Sequence, residues 1–205
     1  MSAYVRKDAF HQRAKREGFR SRAAYKLAEI QRREKLLRPG QRVVELGCWP
    51  GGWLQIASAA VGPSGRVVGV DLKPTEPFPN HAKNANAVAL TADLSELTVV
   101  PQVLELLGRP ADVFLSDAAP QLTGVRATDR AREEALLEAL AERVPSLLRM
   151  GGSLLMKLLD GPEAADLARR LGARFERSRT LRPAATRSGS SERYLVARGY
   201  RGPEQ

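Results

Sequence analysis

The chain has a single cysteine, Cys48, and only two histidines, His11 and His81. A lone thiol excludes an internal disulfide framework and fits a reducing cytoplasm, which is the expected location. With so few thiolate and imidazole ligands, no metal site is expected. No apolar run approaches the roughly 18 residues of a membrane-crossing helix. The charged start "MSAYVRKDAFHQRAKREGF" has no apolar stretch behind it, so it does not read as a secretory signal. There is no internal repeat and no low-complexity tract. Two phosphate-binding signatures are also missing: no G-x-G-x-x-G occurs in the first glycine-rich loop, and no Walker lysine follows its glycines.

What remains suits one globular domain. The 205 residues are 43% hydrophobic, enough for a substantial core. The net charge of +10 is unevenly spread. Residues 1–38 hold twelve Lys/Arg against four Asp/Glu, and residues 169–201 hold ten Arg against two Glu. Between them, residues 39–168 carry eleven basic and sixteen acidic residues. Basic ends around an acidic middle point to a polyanion, most simply a nucleic acid, touched by both ends.

Residues 21–37 read as a helix with Ala24, Leu27, Ala28, Ile30 and Leu37 on its apolar face, stopped by "RPG" at 38–40. Apolar strands then alternate with helical stretches. "RVVELG", "GRVVGVDL", "NAVAL", "ADVFLSDAAP" and "GGSLLMKLLD" are strands, and "RFERSRTLRP" and "ERYLVARGY" close the series. Between them, "GWLQIASAAV", "LSELTVVPQVLELLG", "ATDRAREEALLEALAERVPSLLRM" and "GPEAADLARRLG" carry helices. This order predicts an α/β, Rossmann-like fold, with a mostly parallel seven-stranded sheet covered by helices on both faces. Ligands of such sheets bind beyond the carboxyl ends of the strands. Glu45, Gly47, Asp71, Asp93 and Asp117 stand at those places, and Lys157 lies within the fifth strand.

The stretch "VVELGCWPGGW", residues 43–53, places an acid before a glycine loop that also contains proline and tryptophan. Such a loop crowds a diphosphate and suits a cation. S-adenosylmethionine has a sulfonium and an ammonium and no phosphate. Its methionine end can rest on the backbone of Gly47, Gly51 and Gly52 while Glu45 helps to place the ammonium. Asp71, 24 residues after Gly47, is spaced to take the ribose hydroxyls, and Asp93 to take the adenine amino group.

Lys157 in "LLMKLL" is flanked by apolar residues. Burial lowers a lysine pKa and prepares it as a general base, whereas pairing with Asp117 would raise it and a second cation such as Lys26 would lower it again. These opposing effects leave its protonation open.

The motifs "SRAAYKL", "ELGCWPGGW", "VDLKP", "LSDAAPQLTG", "LLMKLL" and "SSERYLVARG" together resemble the FtsJ/RrmJ family. Members are S-adenosylmethionine-dependent RNA ribose 2'-O-methyltransferases, and the bacterial ones modify a uridine of large-subunit (23S) ribosomal RNA. The resemblance runs from about residue 6 to the last strand. It implies a class I methyltransferase fold and a catalytic tetrad of Lys26, Asp117, Lys157 and Glu192. It also implies a cofactor pocket lined by Gly51, Trp53, Asp71, Asp93 and Asp117, with S-adenosylhomocysteine as the product. The first loop departs from the family's Asp-Leu-Gly-Ala-Ala-Pro-Gly-Gly-Trp: Glu45 is one methylene longer than Asp, and Cys48-Trp49 replaces Ala-Ala. Trp49 is expected either to narrow the methionine end or to pack on a neighbour, and Cys48 to pack.

On this reading residues 1–38 form a basic arm and helix within the RNA-binding surface, and residues 39–201 form the catalytic domain of a single-domain monomer. Arg6, Lys7, Arg13, Lys15, Arg16, Arg20 and Arg22 are the expected phosphate contacts, with Tyr4, Phe10, Phe19 and Tyr25 interleaved for stacking. The segment "LRPAATRSGSSERY" reads as a basic loop able to close over substrate. The expected partner is ribosomal RNA or the large ribosomal subunit. Transfer RNA as substrate and a non-catalytic ribosome-assembly factor are the competing readings.

Overall fold

In a computed structural model of the chain, the described residues are 9–78, 85–94, 96–121, 123–158, 161–186 and 192–203. Two short helices come first, α1 (Ala9–Arg16) and α2 (Ala23–Glu34). The sheet then builds as β1 (Arg42–Leu46), α3 (Gly52–Val61), β2 (Arg66–Asp71), β3 (Ala87–Thr91), α4 (Val99–Leu107) and β4 (Ala111–Ser116). It finishes with α5 (Arg126–Leu147), β5 (Leu148–Leu158), α6 (Pro162–Ala173), β6 (Phe175–Leu181) and β7 (Arg193–Tyr200).

The seven strands lie in the order β3-β2-β1-β4-β5-β7-β6. All pairings are parallel except those of β7, which runs antiparallel to both β5 and β6. Helices cover both faces, as the near-continuous apolar runs require. On one face Val99, Val103, Leu107, Leu140, Val144, Leu147, Leu167 and Leu171 of α4, α5 and α6 pack on Val44, Val68, Phe114 and Leu154. On the other, Leu27 and Ile30 of α2 and Trp53, Leu54 and Ala57 of α3 pack on Val43, Val67, Val113, Leu155 and Tyr194. Chain order reverses at the β1–β4 junction, so the loops leaving β1 and β4 face each other at the carboxyl end of the sheet.

One element is shorter than its sequence suggests. The helix expected over 21–37 spans Ala23–Glu34, because Lys35 turns left-handed (φ 50°) and its N–H bonds to the Gln31 carbonyl. The Gln31 side chain then bonds both the N–H and the C=O of Leu37, which lets Leu36 and Leu37 enter the core outside the helix.

At the opposite, amino end of the sheet, Asp112 of β4 is buried and accepts from the Arg42 N–H (2.7 Å), Arg109 (2.8 Å) and Arg149 (2.6 Å). Burial alone would push this carboxyl up; Arg109, the Arg42 amide and Arg149 outweigh it and hold it down at about 2. A depressed carboxylate stabilises the fold above its unfolded value and loses that contribution as pH falls through the folded one. Asp112→Asn is therefore expected to cost about 1–2 kcal/mol at pH 7. Denaturant titrations from pH 7 to pH 2 should show the gap to wild type closing between pH 4 and pH 2.

Candidate active site

Leaving β1, the chain turns at Gly47, whose φ of +83° disfavours any side chain. Its N–H bonds to the Val70 carbonyl at 2.8 Å, and a Cβ here would stand 2.5 Å from the Ala118 Cα. Only glycine lets the β1 loop press this closely on the β4 loop. Gly51, with φ +104°, then opens α3. Gly52 packs so tightly on Ser21 that a methyl group would collide with its hydroxyl.

The acids around this turn do different jobs. Asp71, at the end of β2, accepts from the N–H groups of Trp49 (2.9 Å) and Lys73 (2.9 Å), so it braces the loop from outside. Asp93 follows β3 and is half-buried. Glu45 points inward and is 1% exposed, and its Oε2 has no hydrogen-bond partner. Burial first, then the charges of Asp117 and Asp71, pushes its carboxyl well above the usual carboxylate range. The loop's two unusual residues are also placed. Cys48 is buried, with its thiol pushed up by burial and by Glu45, which suits packing rather than reactivity. Trp49 is half-exposed and lies under Lys73, whose Nζ is 4.5 Å from the ring centre. Trp53, expected along the cofactor pocket, is 1% exposed. Its indole N–H donates to the Ala23 carbonyl at 2.8 Å and its ring leans on Tyr194, so it supports the site from beneath by tying α3 to α2.

Lys26, Asp117, Lys157 and Glu192 come from four separate parts of the chain and form one connected array. Lys26, in the first turn of α2, donates to both oxygens of Glu192 at 2.7 and 2.8 Å. Lys157, near the end of β5, donates to the Asp117 carbonyl at 2.6 Å, and its Nζ is 3.4 Å from Asp117 Oδ1. Between the two pairs stands Tyr194, which motif reading missed. Its hydroxyl lies 2.8 Å from Asp117 Oδ1 and 3.0 Å from Glu192 Oε1, one proton offered to two carboxylates. Burial, then Asp117 and Glu192, pushes this phenol up, so it remains a donor. A usable signal was present: Tyr194 is two residues beyond Glu192 in a strand and so shares its face. It also pairs directly with Lys157 across the β5–β7 ladder.

The expected RNA contacts divide. Arg6 and Lys7 lie outside the described residues, as do Tyr4 and the side chain of Phe10. Lys15 and Arg16 are exposed on α1, and Arg22 is half-buried. Arg13 pairs with Glu17 (2.7 Å) and lies over the Tyr25 ring, while the Tyr25 hydroxyl donates to Glu17 and Phe19 packs edge-on against Tyr25. These two aromatics are therefore held within the chain. Arg20 is committed as well: its guanidinium donates to the carbonyls of Glu76 (2.6 Å) and Pro77 (3.0 Å) and stacks on Phe78. It clamps the loop after β2. The basic loop before β7 is anchored at its start by Glu29 of α2, which accepts from the N–H groups of Ala184 and Ala185; residues 187–191 lie outside the described set.

The sequence model of the FtsJ-like methyltransferases matches residues 19–200, a span that holds all four members of the array. The chain belongs to the FtsJ-like methyltransferase family. Among its curated relatives is "Ribosomal RNA large subunit methyltransferase E" of Methanothermobacter thermautotrophicus, 38% identical over 98% of this chain and 93% of that protein. The protein of the same name from Alkalilimnicola ehrlichii is 40% identical over 94% of this chain and 90% of its own. Among solved structures, a Plasmodium falciparum protein described as a ribosomal RNA methyltransferase superposes with a TM-score of 0.76, covering 90% of this chain and 100% of that one. At 24% identity that likeness speaks for the fold. Membership of an FtsJ-like methyltransferase family implies a methyl donor.

The raised Glu45 carboxyl has a measurable consequence. The folded protein keeps this proton to higher pH than the unfolded chain, so Glu45 costs stability as pH rises above the ordinary carboxylate value. Without methyl donor, Glu45→Gln should melt close to wild type near pH 4 and at a higher temperature than wild type at pH 8. Thermal unfolding at the two pH values checks this, and an equal gap at both would contradict it.

Proposed function

We propose that this protein transfers a methyl group from S-adenosylmethionine to the ribose 2'-hydroxyl of a uridine in large-subunit ribosomal RNA. The observation that carries the reading is the Lys26–Glu192–Tyr194–Asp117–Lys157 array at the carboxyl end of the sheet. Two buried amines held in fixed geometry by carboxylates suit proton removal from a hydroxyl and need no cysteine nucleophile. The names of the relatives, which share the chain over almost its full length, support ribosomal RNA as the substrate class.

The residues present fit S-adenosylmethionine. Glu45 offers a buried, unpartnered carboxylate oxygen to an ammonium, and the glycine turn at 47–52 leaves backbone rather than side chains around it. Asp71, Asp93 and Asp117 follow β2, β3 and β4 in order, as hydroxyl and amine acceptors. When bound, S-adenosylmethionine supplies an electrophilic sulfonium methyl. The chain's own residues do the rest. Lys157 accepts the 2'-hydroxyl proton. Asp117 holds that amine from two oxygens and fixes its direction. Lys26, locked by Glu192, places a positive charge beside the developing alkoxide. Tyr194 keeps the two carboxylates from repelling each other apart. Fixing the reactants this way contributes several kcal/mol in general.

Lys157→Ala is expected to cut single-turnover methyl transfer by at least about a hundredfold, within the usual range for loss of a general base. Affinity for the methyl donor, measured by titration, should stay near wild type. Undermethylated large subunits, free ribosomal RNA and transfer RNA should be compared as substrates. Retained turnover removes Lys157 from the role, and faster methylation of transfer RNA overturns the substrate assignment.

A further inference from the structure

A concavity of about 460 Å³ lies beside the far end of α2, lined by Glu34, Arg177, Ser178, Arg179, Val196 and Arg198. Its charge is lopsided. Glu34 is the only acid in the lining; its carboxylate pairs with Arg179 at 2.5 Å and its backbone carbonyl accepts from Arg198. Three guanidiniums thus surround one carboxylate that only Arg179 engages, and among the described residues Arg177 pairs with no acid.

The register makes this cluster costly to the fold. Arg177 stands directly opposite Arg198 across the β6–β7 ladder, and like charges in that position are destabilising. Charge on β6 can be read as protection of an edge strand against pairing with other chains. That accounts for a charge at 177 or 179, yet not for its sign, since a glutamate at 177 would guard the edge equally well and pair with Arg198. Nor does it account for Arg198, which sits on an inner strand between β5 and β6.

The groove shares a sheet face with the reacting amine. Lys157 pairs with Tyr194, and Tyr194 with Leu181; along the same face come Val196 with Arg179 and then Arg198 with Arg177. Arg198 lies four positions along β7 from Tyr194, about 13 Å at the usual strand rise. A nucleic-acid strand presenting a ribose to Lys157 can reach this row within a few nucleotides.

We propose that the groove is a second RNA-contact surface, in which Arg177 holds a backbone phosphate of the strand whose ribose is presented to Lys157, while Arg179 and Arg198, held by Glu34, add positive charge beside it. The inference rests on the proposed function, and binding is read independently of turnover so that the two can fail separately.

The test is Arg177→Glu, with Arg177→Lys as control, in the full chain. Affinity for undermethylated large-subunit ribosomal RNA is measured across a salt series, beside methyl-donor affinity and melting temperature. Arg177→Glu should weaken RNA binding about tenfold at low salt and flatten the slope of log K against log salt by about 0.7, the increment for one phosphate contact on a single strand. Arg177→Lys should bind within about twofold of wild type, because counterion release depends on charge. Donor affinity should not change, and the melting temperature should hold or rise as the like-charge pair is replaced by an opposite one. RNA affinity within twofold of wild type and an unchanged slope in Arg177→Glu would overturn the proposal while leaving methyl transfer intact. An inert wild type that still binds RNA with this Arg177 dependence would sink the catalytic reading and keep the surface.

Discussion

The site depends on how one aspartate is shared. Asp117 gives its backbone carbonyl and one carboxylate oxygen to Lys157, and the same oxygen receives the Tyr194 hydroxyl. Through Tyr194 it reaches Glu192, and through Glu192 it reaches Lys26. Side chains more than a hundred and fifty positions apart in sequence thus form one hydrogen-bonded array, with an amine at each end. None of these groups is affordable alone in so buried a place, since an unpaired charge or polar group costs several kcal/mol there. Together they satisfy one another.

The sheet makes this sharing possible. Order reversal at β1–β4 sets the β4 loop against the β1 loop, and Gly47 lets the two touch through Ala118. The carboxyl of Glu45, the turn at 47–52 and Asp117 are thereby brought to one end of the fold. The antiparallel insertion of β7 beside β5 then delivers Tyr194 opposite Lys157, with Glu192 just before it. On the same face, farther along β7, lies the arginine groove. Stability is given up in two places, at the unpartnered oxygen of Glu45 and at the facing pair Arg177–Arg198.

Much of this was legible before any coordinates. Alternation of apolar runs and helical stretches gave the sheet, because strands covered on both faces have to be apolar throughout. The four members of the array were legible because each sits in its own short motif. Other features were not. Tyr194 reads in sequence as one more apolar strand residue, and only the ladder shows its hydroxyl between two carboxylates. Arg20 reads as one cation in a basic arm, yet three carbonyl and ring contacts hold it within the chain. Trp53 carries a family motif but is buried, a distinction that motif spacing does not encode. Composition marked the basic stretch at 169–201, while the strand register was needed to turn its arginines into a row on the face of Lys157.

The most direct test is a structure of the protein with a non-reactive methyl-donor analogue and an RNA oligonucleotide that carries the target uridine. The account places the Lys157 Nζ within about 3 Å of the target 2'-oxygen, the reach of a general base, with Asp117 still holding the amine. A ribose bound elsewhere on the sheet, with the Lys157 amine turned away from it, would contradict the account.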